Sequence, residues 1–101
     1  MNENEFTRKV IFLAESYGLL VHHCYRSELC DGAGLPDLII AGPLGVIFAE
    51  LKTATGQTDD AQDAWAKLLK SQESWTEPVY FLWRPDDLIS GSIENIVKQL
   101  I

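Results

Sequence analysis

The chain has 101 residues, of which 47% are hydrophobic, so it is long enough for a single domain (residues 1–101) with a modest core. No apolar run approaches the roughly 20 residues of a membrane-spanning helix, and the N-terminus lacks the basic flank and apolar stretch of a signal peptide. These features predict a cytoplasmic protein with no membrane partner. In that compartment Cys24 and Cys30 are expected to be reduced thiols.

The formal net charge is −7, from 15 acidic and 8 basic residues. Proteins that bind nucleic acid mainly through its phosphates usually carry a basic stripe. The composition therefore offers no electrostatic signature of nucleic-acid binding, and such a function has to rest on particular residues.

Hydrophobic periodicity predicts the element order α-β-β-β-α-β-α. The first helix covers about 5–17, and its buried face repeats through Phe6, Val10, Leu13 and Tyr17. Gly18 is expected to end this helix. Strands are predicted over about 19–25, 36–41 and 46–53, and the last two are joined by a turn short enough for an antiparallel hairpin.

The second half of the chain is predicted to add two helices and one strand. Thr58 caps a helix whose buried stripe comprises Ala61, Trp65, Leu68 and Leu69. An apolar fourth strand over about 78–83 is expected to be buried on both faces. Ser92 caps a last helix whose inward side chains are Ile93, Ile96, Val97 and Leu100.

Three charged residues are predicted to meet at one edge of the sheet. Asp37 heads the second strand, and Glu50 and Lys52 lie near the end of the third, on the same side because strand side chains alternate. The antiparallel hairpin makes Asp37 and Glu50 neighbours across the pair. Two carboxylates and one ammonium group would then share one place.

Such a cluster suits a divalent metal beside a phosphodiester. Hard cations prefer carboxylate and carbonyl oxygens, which Asp37, Glu50 and the main-chain carbonyl of Leu51 can offer. A cation stabilises the charge that gathers during hydrolysis and lowers the pKa of bound water. Lys52 could orient the attacking water or stabilise the pentavalent phosphorus.

Each of these residues also has a purely structural interpretation. Asp37 could be a turn residue that starts a strand, and Glu50 with Lys52 a solvated face of an edge strand. Glu5 could be a first-turn acid that favours the helix dipole. Gln62, on the inward face of its helix, is either a satisfied structural amide or a group aimed at the cluster.

The adjacent histidines and cysteines are a weaker signal. Zinc binding by His22, His23, Cys24 and Cys30 is conceivable, but the spacings match no common ligand pattern. The preferred interpretation is a strand with one inward and one outward histidine. His23 could instead contact substrate, because its strand would lie beside the one that carries Asp37.

The motif residues carry a resemblance to a known family. Pro36-Asp37 followed by Glu50-x-Lys52 resembles the PD-(D/E)xK nuclease superfamily. The wider pattern resembles its virus-type replication-repair nuclease (VRR-NUC) family through Glu5-Phe6, Gly34-Leu-Pro-Asp37-Leu, Phe48-Ala-Glu-Leu-Lys52-Thr, Gly56, Gln62-x-x-Trp65 and Val79-Tyr-Phe-Leu-Trp83-Arg-Pro85-Asp.

The resemblance implies a fold and a set of site residues. The fold is α/β and restriction-endonuclease-like, with a small mixed four-stranded sheet flanked by helices. The implied metal ligands, for Mg²⁺ or Mn²⁺, are Glu5, Asp37, Glu50 and the main-chain carbonyl of Leu51. The implied catalytic residues are Asp37, Glu50, Lys52 and Gln62, and the implied substrate contacts are His23 and Ser27.

The resemblance further implies a DNA endonuclease that works as a homodimer on branched DNA such as Holliday junctions, in phage or bacterial DNA repair. The loop 27–33 carries two acids where relatives more often have basic or small residues. The alternative hypothesis, favoured by the acidic charge, is a catalytically silent nuclease fold that serves as a binding scaffold for protein or DNA.

Overall fold

The computed structural model describes residues 1–24, 32–72 and 79–101. The elements in these ranges are α1 (Glu3–Ser16), β1 (Leu20–His23), β2 (Leu38–Gly42), β3 (Gly45–Leu51), α2 (Asp60–Ser71), β4 (Tyr80–Trp83), α3 (Pro85–Ile89) and α4 (Ser92–Lys98). The predicted order is confirmed, with one short helix, α3, that periodicity did not predict.

The four strands form one mixed sheet in the order β1-β2-β3-β4. The first three are antiparallel neighbours, and β4 lies parallel to β3. Gly42 pairs with Gly45, so the predicted hairpin is confirmed. The chain is therefore an α/β domain with a small mixed sheet flanked by helices.

The hydrophobic core lies between one face of this sheet and the helices α1 and α4. Strand alternation turns the side chains of Leu38, Ile40, Ile47, Ala49 and Leu51 to this face. The helices bury Phe6, Val10, Ala14, Ile93 and Val97 against them. The opposite face therefore carries the side chains of Phe48 and Glu50.

Helix α1 begins two residues earlier than its hydrophobic pattern predicts. The side chain of Asn2 accepts a hydrogen bond from the Glu5 N–H at 2.8 Å, which caps the helix before Glu3. Phe6 and Val10 are buried as predicted, and Gly18, with φ of 78°, follows the helix end. Leu13 and Tyr17 are only partly buried.

Helix α2 departs from the prediction at its cap and along its stripe. Asp59 caps the helix, while the Thr58 hydroxyl donates to the Asp63 carboxylate instead. No α2 residue is fully buried, and Leu68 is 65% exposed, so its predicted burial is wrong. Periodicity identifies which face is apolar, but it does not tell how much of that face a neighbour covers.

The prediction that the fourth strand is buried on both faces is wrong within the described residues. Leu82 is exposed and Phe81 only partly buried, whereas Tyr80 and Trp83 are buried. The reason is position, because β4 is an edge strand with only β3 beside it. After it, Pro85 opens α3, and the Asp87 carboxylate accepts from the Arg84 N–H at 2.8 Å.

Gly34 is required where the loop before β2 meets the start of α2. Its φ is +87°, and a Cβ added there would lie 2.4 Å from the carbonyl carbon and oxygen of Ala61. We expect Gly34→Ala to lower the free energy of unfolding by roughly 2–4 kcal/mol, from left-handed strain plus overpacking, in urea titrations. Gly18→Ala is the matched control, because Gly18 has φ of +78° with nothing within 4 Å of an added Cβ. If both variants lost the same free energy of unfolding, the close approach of Gly34 to Ala61 would not contribute to stability.

The structure also bears on the predicted state of the cysteines and on the prediction about membrane-spanning helices. Cys24 is disulfide-bonded, so the prediction of reduced thiols, which rested on the missing export signal rather than on geometry, is wrong at this residue. None of the helices in the described ranges combines the length and the apolar character that crossing a bilayer demands.

Candidate active site

The motif residues converge at one end of the sheet. Asp37 directly precedes β2, Glu50 and Leu51 end β3, and Lys52 follows them. Leu38 pairs with Ala49, so the next register position sets Asp37 beside Glu50. Gln62 reaches the same place from the first turn of α2.

Glu50 is the centre of the site and is almost completely buried, with 1% of its surface exposed. Its Oε1 accepts a hydrogen bond from Gln62 Nε2 at 2.9 Å and lies 3.7 Å from Lys52 Nζ. Its Oε2 is also buried and accepts no hydrogen bond from the described residues. A buried carboxylate oxygen without a donor is costly, because nothing replaces the water that it lost.

The electrostatics of the site favour a protonated Glu50 in the protein alone. The pKa of Glu50 is raised from its ordinary value of 4.5 to about 8, and burial is the largest cause. The Asp37 carboxylate contributes to this rise by its charge and by accepting a hydrogen bond from the protonated form, while the charge of Lys52 opposes it. With both carboxylates ionised, the pair would carry one negative charge more than Lys52 balances, and the proton on Glu50 removes this excess.

Asp37 is held in place by the backbone of β3. Its Oδ2 accepts a hydrogen bond from the Leu51 N–H at 2.8 Å. One register position further out, Pro36 would lie opposite Leu51. Proline has no N–H, so Pro36 cannot complete a ladder bond to the Leu51 carbonyl, which points to the same side as the Leu51 N–H.

Gln62 satisfies both of the interpretations that the sequence left open. Its Oε1 accepts from the Asp59 N–H at 3.0 Å, and the Asp59 carboxylate accepts from the Gln62 N–H at 2.8 Å, which forms a capping box. Because the cap occupies the amide oxygen, the amide nitrogen is left to donate to Glu50.

These residues fit a hard divalent cation. Asp37 and Glu50 present carboxylate oxygens, one of them buried without a donor, and the Leu51 carbonyl lies at the same strand end. Within residues 1–24, 32–72 and 79–101, no three His, Cys, Asp or Glu side chains form a metal-binding group. The donor set is therefore two carboxylates and a carbonyl, which suits Mg²⁺ because this ion usually keeps several waters.

The contacts of Glu5 in the structure do not include this donor set. Glu5 is half exposed and lies 3.7 Å from Lys9 Nζ, one helical turn away. The acidic residue of α1 whose charge raises the pKa of Glu50 is Glu3. Its spacing is the signal that sequence analysis missed, because Glu3 shares the i, i+3, i+4 and i+7 face with Phe6, Thr7 and Val10, all of them buried.

No protein-family model, curated protein or solved structure matches this chain. The VRR-NUC resemblance therefore stays a prediction that rests on its motif residues. What the site can do chemically has to follow from the side chains that it brings together.

Of the two predicted substrate contacts, His23 and Ser27, only His23 lies among the described residues. His23 pairs with Leu38 in the strand beside Asp37, as expected, but alternation assigns it to the core face together with Leu38 and Ala49. Partial burial lowers the pKa of His23, and the charge of Asp37 acts in the opposite direction. Ser27 lies outside the described residues.

Proposed function

We propose that this chain is a metal-dependent nuclease that hydrolyses phosphodiester bonds in DNA, with Mg²⁺ or Mn²⁺ as its cofactor. The observation that carries the proposal is the buried Glu50 carboxylate beside Asp37, with an oxygen that has no hydrogen-bond donor in the described part of the chain. A fold gains nothing in stability from such a pair by itself. A bound cation offsets its cost.

The roles of the residues follow from their contacts. Asp37, Glu50 and the Leu51 carbonyl would hold the cation, which when bound supplies charge stabilisation and lowers the pKa of coordinated water. Gln62 fixes Glu50 through Oε1, so that Oε2 stays free to ligate. The Lys52 side chain, 14% exposed and close to Glu50, presents its ammonium group to the phosphate under attack.

The deciding experiment is a cleavage panel. Purified protein with Mg²⁺ or Mn²⁺ is expected to cut at least one of four DNA substrates, namely a four-way junction, a flap, a single strand or a linear duplex. Chelation with EDTA should stop the reaction. Absence of cutting on every substrate with either metal would overturn the proposal, and the substrate order would show whether branched DNA is preferred.

The net charge of −7 favours a second candidate function, a nuclease fold retained as a scaffold for a protein or for DNA. A scaffold has no use for a buried carboxylate pair, which weighs against it. Calorimetric titration with Mn²⁺ separates the two, because only the nuclease requires binding that depends on Asp37 and Glu50.

We also propose that the enzyme is a homodimer, since a branched duplex needs two sites for paired nicks. Phe12 of α1 and Ile89 of α3 are 75% and 76% exposed, respectively. A groove of about 920 Å³ runs along α1 to Leu88, with Ile11, Phe12 and Leu13 among its apolar lining. An antiparallel second copy of α1, related by a two-fold axis at Phe12, would set Lys9 opposite Glu15 of that copy.

Phe12→Glu is therefore expected to convert the dimer to a monomer in light scattering coupled to size exclusion. Its charge cannot be buried against a second α1 without a partner. Leu20→Glu is the matched control, because Leu20 is 77% exposed but lies on β1, away from the groove. A monomeric wild-type chain, or a dimer that survives Phe12→Glu, would refute this interface.

A further inference from the structure

Arg84, the residue between β4 and α3, binds the loop that leads from β3 to α2. Its Nη1 donates to the carbonyl of Thr53 at 2.6 Å and to the carbonyl of Gly56 at 2.8 Å. One guanidinium nitrogen thus links the two ends of the loop 53–56. Hydrogen bonds from a charged donor are stronger than neutral ones, so this is a firm anchor.

The anchored loop lies close to the stem of Lys52. The Gly56 N–H donates to Thr53 Oγ1 at 3.0 Å, and a Cβ added at Gly56 would lie 3.7 Å from Lys52 Cδ. The Lys52 N–H donates to the carbonyl of Trp83, the residue before Arg84, at 3.0 Å. The end of β4 therefore holds the backbone of Lys52 through Trp83, and it holds the loop beside the Lys52 side chain through Arg84.

The same loop continues to the cap of α2. Residues 57 and 58 separate Gly56 from Asp59, whose backbone N–H fixes the amide oxygen of Gln62. Gln62 in turn donates to Glu50. Displacing the loop would move the two groups that lie against Glu50 Oε1, namely Lys52 and Gln62.

We propose that Arg84 is a positioning residue that holds Lys52 and Gln62 against Glu50 through the loop 53–56. It touches neither Glu50 nor Asp37 in the contacts above and acts only through the loop. Its anchoring role stands on these contacts alone, and its effect on catalysis rests on the proposed nuclease function.

The anchoring role is tested by native-state amide hydrogen exchange at Gly56. Arg84→Met keeps the aliphatic stem but removes the donor, so exchange at Gly56 should be about ten-fold faster or more, relative to the amide of Ile40 in β2. Asp87→Ala is the matched control, because it removes the acceptor of the Arg84 backbone N–H and leaves the guanidinium in place. Unchanged exchange at Gly56 in Arg84→Met, or equal acceleration in Asp87→Ala, would overturn the proposal.

The catalytic effect is tested by steady-state cleavage at a temperature where circular dichroism shows every variant folded. Arg84→Met should lower kcat roughly ten- to a hundred-fold with little change in KM, as misplaced catalytic groups do. Arg84→Lys should recover part of kcat and slow exchange at Gly56, since it restores a charged donor. It is also the variant to use if Arg84→Met does not fold. A loss confined to KM, or no recovery with lysine, would overturn the positioning role.

A wild-type protein that cuts no substrate would refute the nuclease function without touching the exchange result. Accelerated exchange at Gly56 in an inactive protein would still establish the Arg84 anchor. Conversely, normal exchange in an active Arg84→Met enzyme would refute the anchor and leave the nuclease function intact.

Discussion

Lys52→Met is expected to slow DNA cleavage by about 10²- to 10³-fold, the usual effect of removing one group that stabilises transition-state charge. Methionine keeps most of the buried stem that lies close to the loop and deletes only the ammonium group. The separation of 3.7 Å between Lys52 Nζ and Glu50 Oε1 is that of a loose ion pair, so the fold should tolerate the change. The measurement is the single-turnover rate on the preferred substrate with saturating Mn²⁺.

The control for this variant is Lys67→Met. Lys67 lies on the exposed side of α2, and its replacement changes the net charge by the same amount. If general electrostatic attraction to DNA were responsible, both variants would slow cleavage equally. Normal cleavage by Lys52→Met would show that the ammonium group has no part in the reaction.

Glu50→Gln is expected to have the opposite effects on stability and on activity. The variant should unfold at a higher temperature than the wild type at pH 8, because it removes a buried charge that lacks a full set of donors. It should also lose cleavage and the stabilisation that Mn²⁺ gives, since an amide is a poor ligand for a hard cation. Thermal unfolding with and without Mn²⁺ measures both effects.

The pH dependence follows from the raised pKa of Glu50. Between its ordinary value of 4.5 and the folded value of about 8, the unfolded chain has released a proton that the folded chain still holds. Stability without metal should therefore fall as pH rises through this window, by at most about 1.4 kcal/mol per pH unit, and level off above it. Glu50→Gln should not show this contribution, and Mn²⁺ should weaken it in the wild type because a cation favours the charged carboxylate.

Asp86→Asn serves as the control for net charge, because Asp86 is exposed on α3. It should leave both the pH dependence and the effect of Mn²⁺ as they are in the wild type. Identical pH profiles for the wild type and Glu50→Gln would mean that Glu50 titrates normally, which would remove the electrostatic argument for a metal.

The convergence of the site could be predicted because it depends on local rules. Strand alternation places Glu50 and Lys52 on one side, and the short turn between β2 and β3 brings Asp37 to Glu50. Both rules act within one hairpin, where sequence distance and spatial distance are nearly the same. The inward face of Gln62 followed in the same way from helical spacing.

What could not be predicted depends on where whole elements pack. The exposure of Leu68 and Leu82 reflects how far α2 covers its face and the edge position of β4, and neither is encoded in a local pattern. The metal role of Glu5 was implied by the resemblance alone, whereas Glu3, whose charge raises the pKa of Glu50, lies before the predicted start of α1 and belongs to the helix because Asn2 caps it.

The capping box at α2 restricts which residue position 62 can hold. Helices in general accept glutamate or glutamine at this third position with similar ease, since either side chain offers an oxygen to the cap. Here glutamate would keep the cap but add a third carboxylate to the site, beside Asp37 and Glu50, in place of the amide N–H that now donates to Glu50. Gln62→Glu would therefore leave the helix cap intact but change the active site, because the Gln62 side chain both caps α2 and donates to Glu50.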